Sequence, residues 1–240
     1  MRIYVREPMA TDVKEAISKK PIKILGRLVD ASNATLFGIL EETEINIIYK
    51  PISGERPLWD FEEGSLAGRE VAAYLTSEFM NFNLVPFTTL REGPFGLGMV
   101  QHWIEVDESF EIIEFSQSND ERLRSMALFD AIINNTDRKI GHLLPTKDGE
   151  IFGCDHGVTF HVEDKLRTVL WQWRGHTFND QETAQLKRFI DEFQNWSNLI
   201  AELLTDEEKE ITRQRVLDLL DSGKFPFPSE DWPAIPWPPV

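Results

Sequence analysis

With 240 residues, 41% hydrophobic and 28% charged, the chain can bury a sizeable core, in one large domain or in two lobes sharing a cleft. Its formal net charge of −16 makes nucleic acid and anionic membranes poor partners, because both are polyanions, yet leaves nucleotide binding open to a local positive site and a metal. A single cysteine, Cys154, excludes an internal disulfide; with no signal peptide and no apolar run near the ~20 residues of a membrane span, a cytoplasmic location is expected.

The first elements are a short amphipathic helix, Asp12 to Lys20, with Thr11 as its N-cap and Pro21 closing it. Three strands follow at residues 24–29, 35–40 and 45–50, an antiparallel meander. Small residues at 31–34 let backbone N–H groups of the first turn approach an anion. Lys50 ends the third strand, either solvated or turned inward to hold phosphates. The loop 53–64 is rich in Gly, Pro and acids, and Trp59 and Phe61 are expected to pin it down.

Residues 65–80 carry Leu66, Val71, Ala72, Leu75 and Phe79 at helical spacing, with Ser65 as N-cap. Glu70 lies beside that apolar stripe. Facing inward it needs a partner, and Lys50 is the one expected. Residues 84–92 and 97–105 read as two more strands, completing a five-stranded sheet with one inserted helix. Residues 106–109 form an acidic connector. This gives an α+β chain with a first lobe at 1–105, a second, mainly helical lobe at 106–224 and a Pro- and Trp-rich tail at 225–240 lying extended on the surface. In the second lobe, helices are expected at 121–133, 180–204 and 206–222, the last with a capping-box start at Thr205 and a stop at Gly223.

The densest chemistry lies between Leu128 and His161. A helix end, LFDAII, leads into the polar loop NNTDRKIGH, then a hairpin turned at Lys147-Asp148-Gly149, then Cys154-Asp155-His156-Gly157. Asp137 is placed to orient a hydroxyl nucleophile, and Asp155, across the hairpin, to hold a metal on nucleotide phosphates. Lys139 is near enough to neutralise the group in flight, a distribution of roles that suits phosphoryl transfer. Cys154 reads as a small core residue in a buried strand, and His156 and His161 as structural.

A hairpin with small residues, a strand lysine, a helix glutamate, a loop acid and an acid before glycine occur in kinase order. Through YKPISGERPLWDF, LAGREVAAYL, GPFGLGMVQHW, NNTDRKIGH and CDHGVTFHVEDKLRTVLW, the chain resembles the protein-kinase-like superfamily. It looks closest to the bacterial phosphatidylinositol 3-/4-kinase-like branch, near the HipA-type kinases, within an uncharacterised actinobacterial-type family. The resemblance implies a two-lobed kinase-like fold that uses ATP with Mg²⁺ or Mn²⁺. It would put Ser32 and Asn33 in a phosphate-covering loop, Lys50 on the α/β-phosphates with Glu70 fixing it, and Gln101, His102, Trp103 and Ile104 in the adenine hinge. Asp137 would be the catalytic acid, Lys139 a γ-phosphate contact and Asp155 the metal ligand. His142 stands where such kinases have an asparagine as second metal ligand, which shifts metal preference toward Mn²⁺ or leaves one tight site. The acceptor is a hydroxyl of a protein or small molecule, ahead of phosphoinositides. A nucleotide-binding pseudokinase acting as an interaction module and a kinase-fold AMP transferase stay open beside this reading.

Overall fold

A computed structural model describes residues 9–28 and 33–240. They separate into two compact units. The first comprises the described residues up to Ala67 with Pro86–Trp103; the second comprises Gly68–Val85 with Ile104–Val240.

The first unit is one five-stranded antiparallel sheet. Its strands are β1 (Ile22–Arg27), β2 (Leu36–Leu40), β3 (Asn46–Pro51), β4 (Thr88–Gly93) and β5 (Gly96–His102), ordered β1-β2-β3-β5-β4. Alternation puts Ile47 and Tyr49 on the face that also receives Ile22, Leu40 and Val100. Helix α1 (Thr11–Lys19) closes that face with Ile17. Thr11 is already inside the helix, and Ala10 precedes it without a side-chain cap, so the expected Thr11 N-cap is not formed. The far end is capped from the sheet: Arg91 donates to the Ile17 and Lys20 carbonyls at 2.6 and 2.8 Å, satisfying acceptors a helix terminus leaves open. Residues 84–87, expected to be strand, lie outside β4, and Pro86, without an N–H, marks the boundary.

A 3-10 turn, Ile52–Gly54, follows β3 and passes so near the preceding hairpin that a Cβ on Gly54 would sit 2.4 Å from that of Ala34. The loop beyond is held by Glu55, whose carboxylate accepts the N–H groups of Leu66 and Ala67 at 3.2 and 2.8 Å. Those are the first donors of helix α2 (Leu66–Phe79), so Glu55 supplies the capping acceptor there, while the Ser65 hydroxyl donates to the Glu62 carbonyl. Trp59 is 84% exposed and does not pin the loop into a core.

Most of α2 belongs to the second unit, where Trp196 Nε1 donates to Thr76 and the Arg69 guanidinium pairs with Glu208. A lobe boundary at residue 105 would leave this helix in the first lobe, whereas Gly68–Val85 belong to the second unit. The second unit is built on α4 (Glu121–Ile133), buried from Met126 to Ile133, which follows the short α3 (Ile112–Ser116). A two-stranded hairpin comes next, β6 (Leu143–Pro145) and β7 (Ile151–Gly153), turned at Gly149 with φ +81. The expected helix at 180–204 breaks at Glu192 into α5 (Asp180–Asp191) and α6 (Phe193–Leu199). The break lets Phe189 and Trp196 meet at 4.9 Å, whereas seven residues of straight helix rise about 10 Å. Helix α7 (Asp206–Ser222) has the expected capping box between Thr205 and Glu208 and ends on Gly223 in the left-handed conformation. Among the described residues no helix is long and apolar enough to cross a membrane.

Candidate functional site: a charged loop fastened to a hairpin

Helix α4 stops because Asn134 turns left-handed, φ 51, and its N–H bonds back to the Asp130 carbonyl. The Asn134 amide then donates to the His161 and Glu163 carbonyls at 2.9 and 2.6 Å, tying the loop to the segment after the hairpin. Asn135 folds the next turn: its Oδ1 accepts the Asp137 N–H at 3.0 Å while its amide donates to Asp130 at 2.9 Å.

Beneath the loop lies a pair with no exposed surface. The Arg138 guanidinium meets Asp130 with Nη2 2.9 Å from Oδ1 and Nε 3.0 Å from Oδ2. The same guanidinium donates to the Cys154 carbonyl at 3.1 Å and reaches His156 Nε2 at 2.6 Å. Arginine can only donate, so in this contact the imidazole nitrogen is the acceptor. One buried cation thus fastens the residues either side of Asp155 to the loop carrying Asp137. From the other side, Glu70 on α2 is buried and accepts the His156 N–H at 2.9 Å.

Four predicted site residues crowd the same end of the hairpin. Lys139 Nζ is 3.4 Å from Asp137 Oδ2, and His142 Nε2 is 3.5 Å from Asp155 Oδ2. The hairpin ladder, with Leu143 opposite Gly153, and the Cys154 N–H on the His142 carbonyl set the second distance. Asp155 is left-handed, φ 59, and half exposed, whereas the Asp137 side chain is 31% exposed. Burial pushes the Asp137 carboxyl above the ordinary carboxylate range; Lys139 pulls it back in part, and the Asp155 charge raises it further. No group of three or more His, Cys, Asp or Glu side chains forms a metal cage among the described residues, so a cation here would take its remaining ligands from elsewhere.

On the first unit, Ser32 lies outside the described residues, and Asn33 accepts the Arg56 N–H at 2.9 Å, holding the loop after the 3-10 turn. Lys50 is half-buried on β3 opposite Met99. Gln101 is buried, with its amide on Thr88 at 2.9 Å. The N–H groups of His102 and Trp103 donate to the Phe87 and Asn46 carbonyls at 2.9 and 3.1 Å, so both are engaged within the sheet unit. Burial lowers the His102 imidazole from its ordinary value. Ile104 begins the second unit.

Three features were not anticipated. Asp130 and Arg138 had no assigned role, although an acid inside LFDAII, eight residues before an arginine, was a visible signal of a buried pair. His156 had only a structural reading and proves to be the arginine's partner. Cys154 lies beyond β7, half-buried, instead of inside a core strand; its carbonyl carries its role.

No family model matches the chain. In three dimensions it is similar to the crystal structure of the Helicobacter pylori proinflammatory kinase CtkA, with a TM-score of 0.51 over 87% of this chain and 94% of that one, at 13% identity. The chain therefore has a kinase-like α+β fold. By sequence it is 37% identical over 265 residues to protein Rv2133c of Mycobacterium tuberculosis, with 95% of each chain covered. It belongs to the family of that protein.

Proposed function

We propose that the chain is an ATP-dependent phosphotransferase that moves the γ-phosphoryl group to a hydroxyl. The observation that carries this reading is the fastening of Asp137, Lys139, His142 and Asp155 around one hairpin end by the buried Arg138–Asp130 pair. Phosphoryl transfer is mostly positioning and electrostatics, and such a frame supplies both. Asp137 orients the acceptor hydroxyl and takes its proton, a task suited to a carboxyl made more basic by burial. Lys139 offsets charge on the group in transfer. Asp155 with His142 would hold Mg²⁺ or Mn²⁺, which would neutralise phosphate charge; two donors fit an ion that keeps phosphate oxygens and waters as its other ligands. On the sheet unit, Lys50 is assigned to nucleotide phosphates.

The order of motifs supports a finer placement near the phosphatidylinositol 3-/4-kinase-like and HipA-type kinases. A net charge of −16 favours protein or small-molecule hydroxyls over phosphoinositides. The test is a thermal-shift titration with ATP in Mg²⁺, Mn²⁺ and EDTA, on wild type and Asp155→Ala. A metal-dependent rise that Asp155→Ala abolishes is expected by mass action; no shift with any nucleotide refutes the proposal. One observation favours a second reading, a nucleotide-binding pseudokinase: the position of the usual asparagine ligand holds His142, already 3.5 Å from Asp155. Binding without turnover in either metal would select it, and α- against γ-labelled ATP separates phosphorylation from AMP transfer.

A further inference from the structure

The tail lies along the second unit and returns to the charged loop. Phe225 is buried against Phe178 at 5.0 Å, with Arg124 over its ring at 4.6 Å. Trp232 lies under the Lys165 ammonium at 4.6 Å. The Ala234 carbonyl accepts the Thr168 N–H at 3.1 Å and Trp171 Nε1–H at 2.8 Å. Pro236 is buried, and the Pro239 carbonyl accepts the Ile140 N–H at 2.9 Å, three residues past Asp137. Thr168 belongs to the stretch bridged to Arg138, whose N–H donates to Arg167 at 3.1 Å and whose carbonyl accepts from Val169 at 3.2 Å. The tail therefore runs beside the segment that flanks the loop acid and is held to it through the Ala234 carbonyl.

Two features of this seat matter. The hydrogen bonds from Ile140, Thr168 and Trp171 are all accepted by backbone carbonyls of residues 230–240, which any peptide possesses, and prolines pre-extend the tail so that seating it costs little entropy. From Glu230 to Val240 there is no Ser, Thr or Tyr, so this occupant cannot accept a phosphoryl group. We propose that the face formed by Ile140, Lys165, Thr168 and Trp171 is a docking site for extended peptides bearing the acceptor hydroxyl, and that residues 230–240 fill it as a hydroxyl-free internal competitor. The inference rests on the phosphotransferase reading and narrows its acceptor to protein hydroxyls. In the step served, the peptide hydroxyl oxygen bonds to the γ-phosphorus as the bond to the β-phosphate oxygen breaks; ADP leaves and the hydroxyl proton passes to Asp137.

The test uses the full chain with a protease recognition sequence inserted between Ser229 and Glu230, folded intact, then cut and desalted. A fluorescein-labelled peptide of residues 230–240 is followed by anisotropy. Two unlabelled versions, with Ile235→Ser or Trp237→Ser at the exposed positions, serve as competitors and as acceptors for γ-labelled ATP. We expect the labelled peptide to bind the cut chain and not the uncut one, and Lys165→Ala to weaken it several-fold. At least one serine peptide should be labelled tenfold or more faster by the cut chain, with equal nucleotide stabilisation of both forms. A tail that never exchanges overturns the docking site. Serine peptides that displace it yet stay unlabelled, while the chain transfers phosphate elsewhere, overturn the acceptor assignment. Absence of nucleotide stabilisation in both forms refutes the phosphotransferase reading and the acceptor assignment with it, while peptide exchange supports the docking site independently.

Discussion

Arg138 joins the chemistry to the fold. It is the residue after the loop acid, it is fully buried, and its donors reach a helix carboxylate, a strand-end carbonyl and an imidazole. A buried pair of this kind is weak evidence for stability as a pair, but breaking it from one side leaves an uncompensated charge. Asp130→Ala is therefore expected to cost about 3–5 kcal/mol in urea unfolding, with a smaller loss for a joint replacement of Asp130 and Arg138 by apolar residues. Asp137 has the opposite bias. Its carboxyl is raised, so between its ordinary value and the raised one the folded state binds the proton more tightly than the unfolded chain does. Its contribution to stability is then full at low pH and is lost as pH rises through that window. Asp137→Asn should melt higher than wild type at pH 7, and the gain should vanish toward pH 3. On the proposed function, the same variant keeps metal-dependent nucleotide binding and loses phosphoryl transfer by at least a hundredfold, a size set by general-base losses of 10²–10⁴.

At the scale of elements, periodicity and turn chemistry located most of what forms. The meander, α2, the β6–β7 hairpin and α7 with its capping box and Gly223 stop were legible because each is specified by residues adjacent in sequence. The misses share a cause. The cap of α2 comes from Glu55, ten or more residues upstream, and the break at Glu192 answers to packing of Phe189 on Trp196. Local spacing carries neither fact. Glu55→Ala should cost about 1 kcal/mol, the usual worth of a helix cap, read from chemical denaturation. Gly54→Ala tests the nearby close approach: its Cβ would meet Ala34 at 2.4 Å, so a loss of about 1–3 kcal/mol is expected, against a gain were the site open.

At the scale of the whole molecule, composition had already set limits on partners. An excess of acids worth −16 should keep the protein off anionic liposomes at physiological salt; firm co-sedimentation there would return phosphoinositides to the head of the acceptors. By itself the sequence determined the α+β class, the five-stranded sheet, and the loop and hairpin where charged residues gather, because strand alternation, turn residues and hydrophobic periodicity are local properties. Only the tertiary structure decided that Asp130 and His156 share Arg138, that α2 packs largely with the helical unit, and that the tail's carbonyls seat on Ile140, Thr168 and Trp171. Those contacts join residues from eight to 139 positions apart, and their partners are chosen by burial, which makes an enclosed charge or N–H without one costly.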